Sequence, residues 1–294
     1  MKLRRILPRI FRYIIKKSLR LNQKFFINIA IRIPFSRFHK VTSRLFWGEE
    51  VINWRGCVIK VNPGEIFGYY PYFLEMHSDE QIEKLIELCR DSRILFDVGA
   101  NIGLISFAVA SSCPQLEVFS FEPDYNSAAR FRDNLQLNPD MTTRIHLIQK
   151  AVAEVNYNLP FRPSNNPENI DIGRLASDIL PFPEDYLVNT IRLDTFCDGI
   201  KRYPQIIKID VEGAELRVIR GMQGLFIKEA PKAIIIEIHV PSDTKQAIEF
   251  KKETKIILEQ HGYILFYFGS KKWRKLGAVE EWPRQFHMLA FNQK

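Results

Sequence analysis

From Arg93 onward the chain alternates short apolar runs with amphipathic stretches of helical length, and few folds accept that pattern. Runs too short for helices, separated by segments that can each cover a sheet face, are the mark of repeated strand–helix–strand units with a parallel sheet. The strands read as Ile94–Val98, Glu117–Glu122, Ile145–Ala151, Ile206–Asp210, Ala233–His239, Tyr263–Phe268 and Met288–Asn292, with helices at about 103–112, 125–137, 213–228 and 244–261. The last two strands follow each other without a helix between them, so they are expected to be antiparallel. The fold class expected is α/β: a Rossmann-like, seven-stranded, mostly parallel sheet with an antiparallel last strand, plus a basic N-terminal helical arm.

Residues 155–190 interrupt the alternation. Pro160, Pro163, Pro167, Pro181 and Pro183, with Asn165 and Asn166, predict a long irregular insertion before a short strand at Val188–Leu193. Long loops in compact domains commonly bind or cover something, which makes this a candidate substrate-facing element.

The first chemical signal is Phe96-Asp97-Val98-Gly99-Ala100-Asn101-Ile102-Gly103, a strand entering a small-residue turn and then a helix. Gly99 admits close backbone approach, Asn101 tolerates a left-handed conformation, and Gly103 permits tight packing at the helix start. Asp97 is placed to accept from a ligand ammonium or a bridging water. Glu122 ends the next strand, and strand ends of a doubly wound sheet open into one crevice, where a carboxylate can hold both hydroxyls of a ribose. Ala100 within the turn and Ala151 at the end of the third strand complete the candidate cofactor set.

An acid two residues before the first glycine repels a pyrophosphate but suits a sulfonium and an ammonium. S-adenosylmethionine is therefore favoured over NAD, whose fingerprint would read GxGxxG.

A second signal, Ile207-Lys208-Ile209-Asp210-Val211-Glu212-Gly213-Ala214-Glu215-Leu216, ends a later strand at the same crevice. Asp210 and Glu212 are candidate site residues, and Gly213 marks a sharp change of direction. Glu215 falls in the first helical turn, where the helix dipole alone explains an acid. For methyl transfer to a neutral hydroxyl a base is required. Asp210 is the first candidate and His239, ending Glu237-Ile238-His239, the second. Carboxylates at 210, 212 and 215 raise a weak case for a hard cation, but no zinc pattern is present and no metal is expected.

The strings FDVGANIG, FEPD and IKIDVEGAEL, the last followed by Gly221-Met222, together with Arg192-Leu193-Asp194, resemble the FkbM-type methyltransferases over roughly residues 70–292. The resemblance implies a class I methyltransferase fold, S-adenosylmethionine as donor, and methylation of oxygen on a sugar, glycan or other small-molecule acceptor. It carries a cofactor role onto Asp97, Gly99, Asn101, Gly103 and Glu122, and a site role onto Asp210 and Glu212.

Charge is distributed unevenly. Of 42 Lys and Arg, 13 fall in residues 1–47, which hold no acid, so the remaining 29 face 34 acidic residues. Leu3, Ile6, Leu7, Ile10 and Ile14 recur at helical spacing among these cations, predicting a basic amphipathic helix suited to an anionic membrane surface or to packing on the catalytic domain. The organisation expected is an arm at 1–48, a β-rich lead-in at 49–77 and the catalytic domain at 78–294. Within the lead-in, strands at Val51–Val61 and Phe67–Phe73 flank Asn62-Pro63-Gly64, and Ser78 with Gln81 forms a capping-box pattern for the next helix.

No stretch approaches the length of a spanning helix, and no secretory signal is evident, so a cytoplasmic protein, peripheral at the inner face of the membrane through its arm, is expected. Cys57, Cys89, Cys113 and Cys197 show no metal or catalytic spacing and read as free thiols. Two other functions fit the composition: a nucleic-acid methyltransferase using the arm, and a non-catalytic membrane-surface module. Against the first, motifs for amino or cytosine-carbon methylation of bases are missing.

Overall fold

The computed structural model describes residues 50–61, 80–163, 174–175, 185–240, 244–269, 272–283 and 285–292. The arm, the stretch Phe67–Phe73, Ser78 and much of the insertion lie outside these residues. The chain divides into two units, one of 1–52, 60–78 and 166–170, and one of 53–59, 79–165 and 171–294. Described residues of the first are confined to the outer ends of a two-stranded sheet, β1 (Glu50–Trp54) and β2 (Cys57–Val61).

The second unit holds the inner part of that hairpin, 53–59, then α1 (Glu80–Cys89), β3 (Ile94–Val98), α2 (Leu104–Ser112), β4 (Glu117–Phe121), α3 (Tyr125–Gln136) and β5 (Ile145–Ile148). After the insertion come α4 (Leu193–Ile200), β10 (Ile206–Ile209), α5 (Glu215–Arg220), α6 (Gln223–Lys228), β11 (Ala233–His239), α7 (Thr244–Gln260), β12 (Tyr263–Gly269), β13 (Lys272–Lys275) and β14 (Gln285–Asn292). The insertion carries β6 (Ala151–Val152), β7 (Asn158–Arg162), β8 (Arg174–Leu175) and β9 (Tyr186–Ile191).

The main sheet has the order β13-β12-β14-β11-β10-β3-β4-β5, with β10, β11, β3, β4 and β5 parallel. β14 slots antiparallel between β11 and β12, and β13 adds an antiparallel edge that the sequence does not announce. Every residue of β3 and β10 is buried, as expected for central parallel strands covered on both faces. Phe96, Ile207, Ile209, Ile234, Ile236 and Met222 belong to the core that results.

Three boundaries depart from expectation. The strand predicted to run to Ala151 leaves the main sheet at Ile148, where Lys150 N turns back to Ile148 O at 2.8 Å. Ala151 and Val152 pair instead with Thr190 and Ile191 of β9. The helix predicted over 213–228 is instead two short helices, α5 and α6, meeting at Gly221 and Met222, and a Cβ at 221 would fall 2.1 Å from Ala153 O. Finally, the insertion is partly regular: β6, β9, β7 and β8 make a small sheet around Ala151, Phe161 and Val188, and Leu193 starts α4 instead of ending a strand.

All four cysteines are free and buried, and burial pushes the Cys57 and Cys197 thiols up to about 12, which keeps them unreactive. Among the described residues no helix is long and apolar enough to cross a membrane.

Candidate active site

The turn after β3 is fixed from three directions. Gly99 N and Ala100 N both donate to Phe121 O at 3.0 Å, tying the turn to the end of β4. Gly99 has φ 79°, and a Cβ there would lie 1.8 Å from Asp210 O, so glycine is required by the neighbouring strand exit. Gly103, at φ 92°, sits against the Phe107 ring with equally little room. Asn101 adopts φ 50°, the left-handed conformation its side chain tolerates, and its Oδ1 accepts from Ile102 N at 2.7 Å. Ala100 and Ala151 are both buried.

Beneath the turn lies a buried ion cluster. Asp97 has no solvent exposure; Ser106 Oγ donates to its Oδ2 at 2.6 Å, and Lys208 Nζ stands 3.2 Å from its Oδ1. The register pairs Lys208 with Asp97 directly across β10 and β3. The same ammonium donates to Gly99 O at 2.9 Å and lies 3.4 Å from Asp210 Oδ2. Burial works against the Lys208 charge, but Asp97 and Asp210 outweigh it and hold the ammonium above its ordinary pKa. Asp97, expected to accept from a ligand ammonium or a bridging water, lies fully buried against Ser106 and Lys208, and Lys208 links it to Gly99 O of the turn.

Glu122 is held by the backbone around it. Its Oε2 accepts from Asn101 N and its Oε1 from Asp124 N, each at 2.8 Å. Burial pushes its pKa up to about 7 against the lowering effect of these two N–H groups. Each carboxylate oxygen still has a second lone pair. Asp97 and Glu122 thus converge on one turn, the former from below and the latter from the end of β4.

The ends of β10 and β11 carry a second cluster. Asp210 N donates to Val98 O at 3.0 Å, and its carboxylate is 27 % exposed. Partial burial raises the Asp210 pKa, with Lys208 opposing the rise. Glu212 adopts φ 51° ahead of Gly213 at φ 100°, the change of direction expected there. Its carboxylate lies 3.4 Å from His239 Nε2, and burial raises its pKa to about 7 with His239 working the other way.

Glu215 does more than complement a helix dipole. It is fully buried, and its Oε1 accepts from Gly213 N at 2.9 Å and meets His239 Nδ1 at 3.0 Å. His239 Nε2 also neighbours Gln285 Nε2 at 3.1 Å and Glu237 Oε1 at 3.6 Å. Burial alone would lower the imidazole pKa, but Glu215 and Glu212 raise it to about 9. Glu237 in turn is held below the ordinary carboxylate range: burial opposes this, and His287 and Gln285 prevail.

Asp210, Glu212 and His239 are therefore brought together, and Lys208, Glu215, Glu237 and Gln285 join them. Glu215 was visible in sequence as an acid of the first helical turn, and two other additions left a trace there. Lys208 and Glu237 stand inside apolar central strands, where a charge must be buried and hence paired. Gln285 left none. Among the described residues, no group of three or more His, Cys, Asp or Glu is arranged to hold a metal ion.

The chain matches the family described as Methyltransferase FkbM domain over residues 97–265. It is 26% identical over 183 residues to the hexuronic acid methyltransferase AglP of Haloferax volcanii, covering 62% of this chain and 71% of that protein. To the 2-O-methyltransferase NoeI of Sinorhizobium fredii it is 30% identical over 163 residues, covering 50% of this chain and 63%, less than two thirds, of the relative. The cofactor-bound structure of Rv0187 from MTB superposes with a TM-score of 0.44 at 15% identity, covering 74% of this chain and 81% of that one. With the matched segment running from Asp97 through the turn and both clusters into β12, this protein belongs to the FkbM methyltransferase family, on a Rossmann-like class I fold with S-adenosylmethionine as methyl donor.

Proposed function

We propose that the chain methylates a hydroxyl oxygen of a sugar or glycan, with the donor held at the turn 99–103 and Glu122, and the acceptor at the ends of β10 and β11. The observation that carries this reading is the partly exposed Glu212 facing His239 beside Asp210, a group that can take up a hydroxyl proton at neutral pH. The names of the two curated relatives, one acting on hexuronic acid and one a 2-O-methyltransferase, support an oxygen acceptor of the sugar class.

The donor residues fit the group by their chemistry. Glu122 offers two acceptor oxygens for a vicinal diol, and the Lys208 ammonium behind the turn is matched by the Asp97 and Asp210 carboxylates. When bound, the donor supplies an electrophilic methyl group, so the protein's task is alignment and proton removal. Glu212, with its pKa about 7, is ionised in a substantial fraction of molecules and serves as base. Asp210, first choice from sequence, is neutralised by Lys208 and orients the acceptor instead. His239, raised to about 9, is protonated at neutral pH; its Nδ1–H donates to Glu215 and its charge faces the Glu212 carboxylate at 3.4 Å.

The test is transfer from methyl-labelled S-adenosylmethionine to a panel of neutral, amino and uronic sugar glycosides and to fractionated cell extract, with the methylated atom located by NMR. A methoxyl on a sugar carbon is expected. Transfer to nitrogen, to carbon or to nucleic acid would overturn the proposal.

A further inference from the structure

Among the described residues, Tyr186 on β9 links the insertion to the loop that follows β4. Its hydroxyl donates to Asp124 Oδ2 at 3.0 Å and accepts from Tyr125 N at 3.4 Å. Asp124 is a junction. Its Oδ1 caps α3 by accepting from Ser127 N at 2.8 Å, and its own N–H donates to Glu122 Oε1 at 2.8 Å. Glu122 then holds Asn101 N through its other oxygen. A hydrogen-bonded chain thus runs from the insertion, through the acidic loop, into the glycine turn.

The segment Glu122–Asp124 belongs to no helix or strand, so the direction of the Glu122 carboxylate depends on where Asp124 is fixed. One Asp124 oxygen is committed to the helix cap; the other is anchored by Tyr186, 62 residues away in sequence. The tyrosine ring is itself located by Phe161, at 5.5 Å between centroids, and by Tyr125, at 5.2 Å. Burial and the Asp124 charge raise the Tyr186 pKa, which keeps its hydroxyl protonated and donating.

We propose that Tyr186 is a positioning residue for donor binding, the insertion's sheet serving to aim Glu122 through Asp124. This rests on the reading that Glu122 holds the donor.

The experiment measures S-adenosylhomocysteine binding by calorimetry, and steady-state kinetics, on the full chain and its variants. Tyr186→Phe keeps the ring packing and deletes only the hydroxyl. It is expected to weaken binding by about tenfold, the size of one lost hydrogen bond to a charged group. The donor KM should rise in parallel, while kcat at saturating donor and acceptor KM stay at parental values. A structural defect would move all of these together. Asp124→Asn keeps an oxygen for the cap but replaces the charged acceptor of the Tyr186 hydroxyl with a neutral amide, and it should weaken binding to a similar degree, with little further loss in the double variant. Tyr157→Phe, an exposed tyrosine on the same insertion, should change nothing.

Parental donor affinity in Tyr186→Phe, or a rise confined to acceptor KM, overturns the proposal. Glu122→Ala separates it from its premise. If that variant binds S-adenosylhomocysteine normally, the donor-site assignment itself is wrong; if it fails to bind while Tyr186→Phe binds as the parent does, only the role of Tyr186 falls.

Discussion

Replacing Lys208 by methionine isolates the buried ion cluster under the turn. Methionine fills a similar volume and removes the ammonium that faces Asp97 at 3.2 Å, Asp210 at 3.4 Å and Gly99 O at 2.9 Å. At an effective dielectric of about 20, a unit pair at 3.2 Å interacts by about 5 kcal/mol. Part of that is offset by the cost of burying the lysine, and broken buried pairs cost about 3–5 kcal/mol in practice. The loss is large because Asp97, with no exposure, is left with the Ser106 hydroxyl and no opposite charge.

Against a domain stability of about 5–15 kcal/mol, this is a severe perturbation, equivalent to a fall of roughly 6–20 °C in melting temperature. The assay is urea and thermal denaturation of the parent, Lys208→Met, and Lys208→Met combined with Asp97→Asn. The double variant should recover at least half of the loss, since the uncompensated charge is gone. A Lys208 pKa raised on folding stabilises at every pH below the unfolded value and is lost only as the medium turns strongly alkaline. The pair's contribution is accordingly flat between roughly pH 6 and 9. If the single variant melts with the parent, or the double is the less stable of the two, the ion cluster is not what holds this turn.

Two further outcomes follow from the same geometry. Gly99→Ala combines φ 79° with a Cβ 1.8 Å from Asp210 O, and strain plus overpacking should cost about 2–6 kcal/mol in thermal melts, a parental curve showing that the turn can shift. The pH profile of kcat/KM should be bell-shaped, rising through about 7 as Glu212 ionises and falling through about 9 as His239 loses its proton. Glu212→Gln should abolish the acid limb and His239→Asn the alkaline one; an acid limb abolished by Asp210→Asn instead would transfer the base to Asp210.

Much of this protein was readable in one dimension because its signals are local. Strand–helix alternation requires only that each short apolar run be covered on both faces, so β3, β10 and β11 appear where the run of Val, Ile and Leu predicts them. The turn was legible for the same reason: residue type alone marked Gly99 for close approach, Asn101 for a left-handed backbone and Gly103 for tight packing, and all three have positive φ. What folding decided was which groups meet. Strand register set Lys208 opposite Asp97 and made the two a buried pair. The insertion, irregular on paper, acquired its order by pairing across distant segments, Ala151 with Thr190 and Phe161 with Tyr186, and so brought Tyr186 to Asp124. Periodicity tells a segment which face to bury, but the identity of the neighbour behind that face depends on contacts between residues far apart in sequence, and no local pattern encodes them.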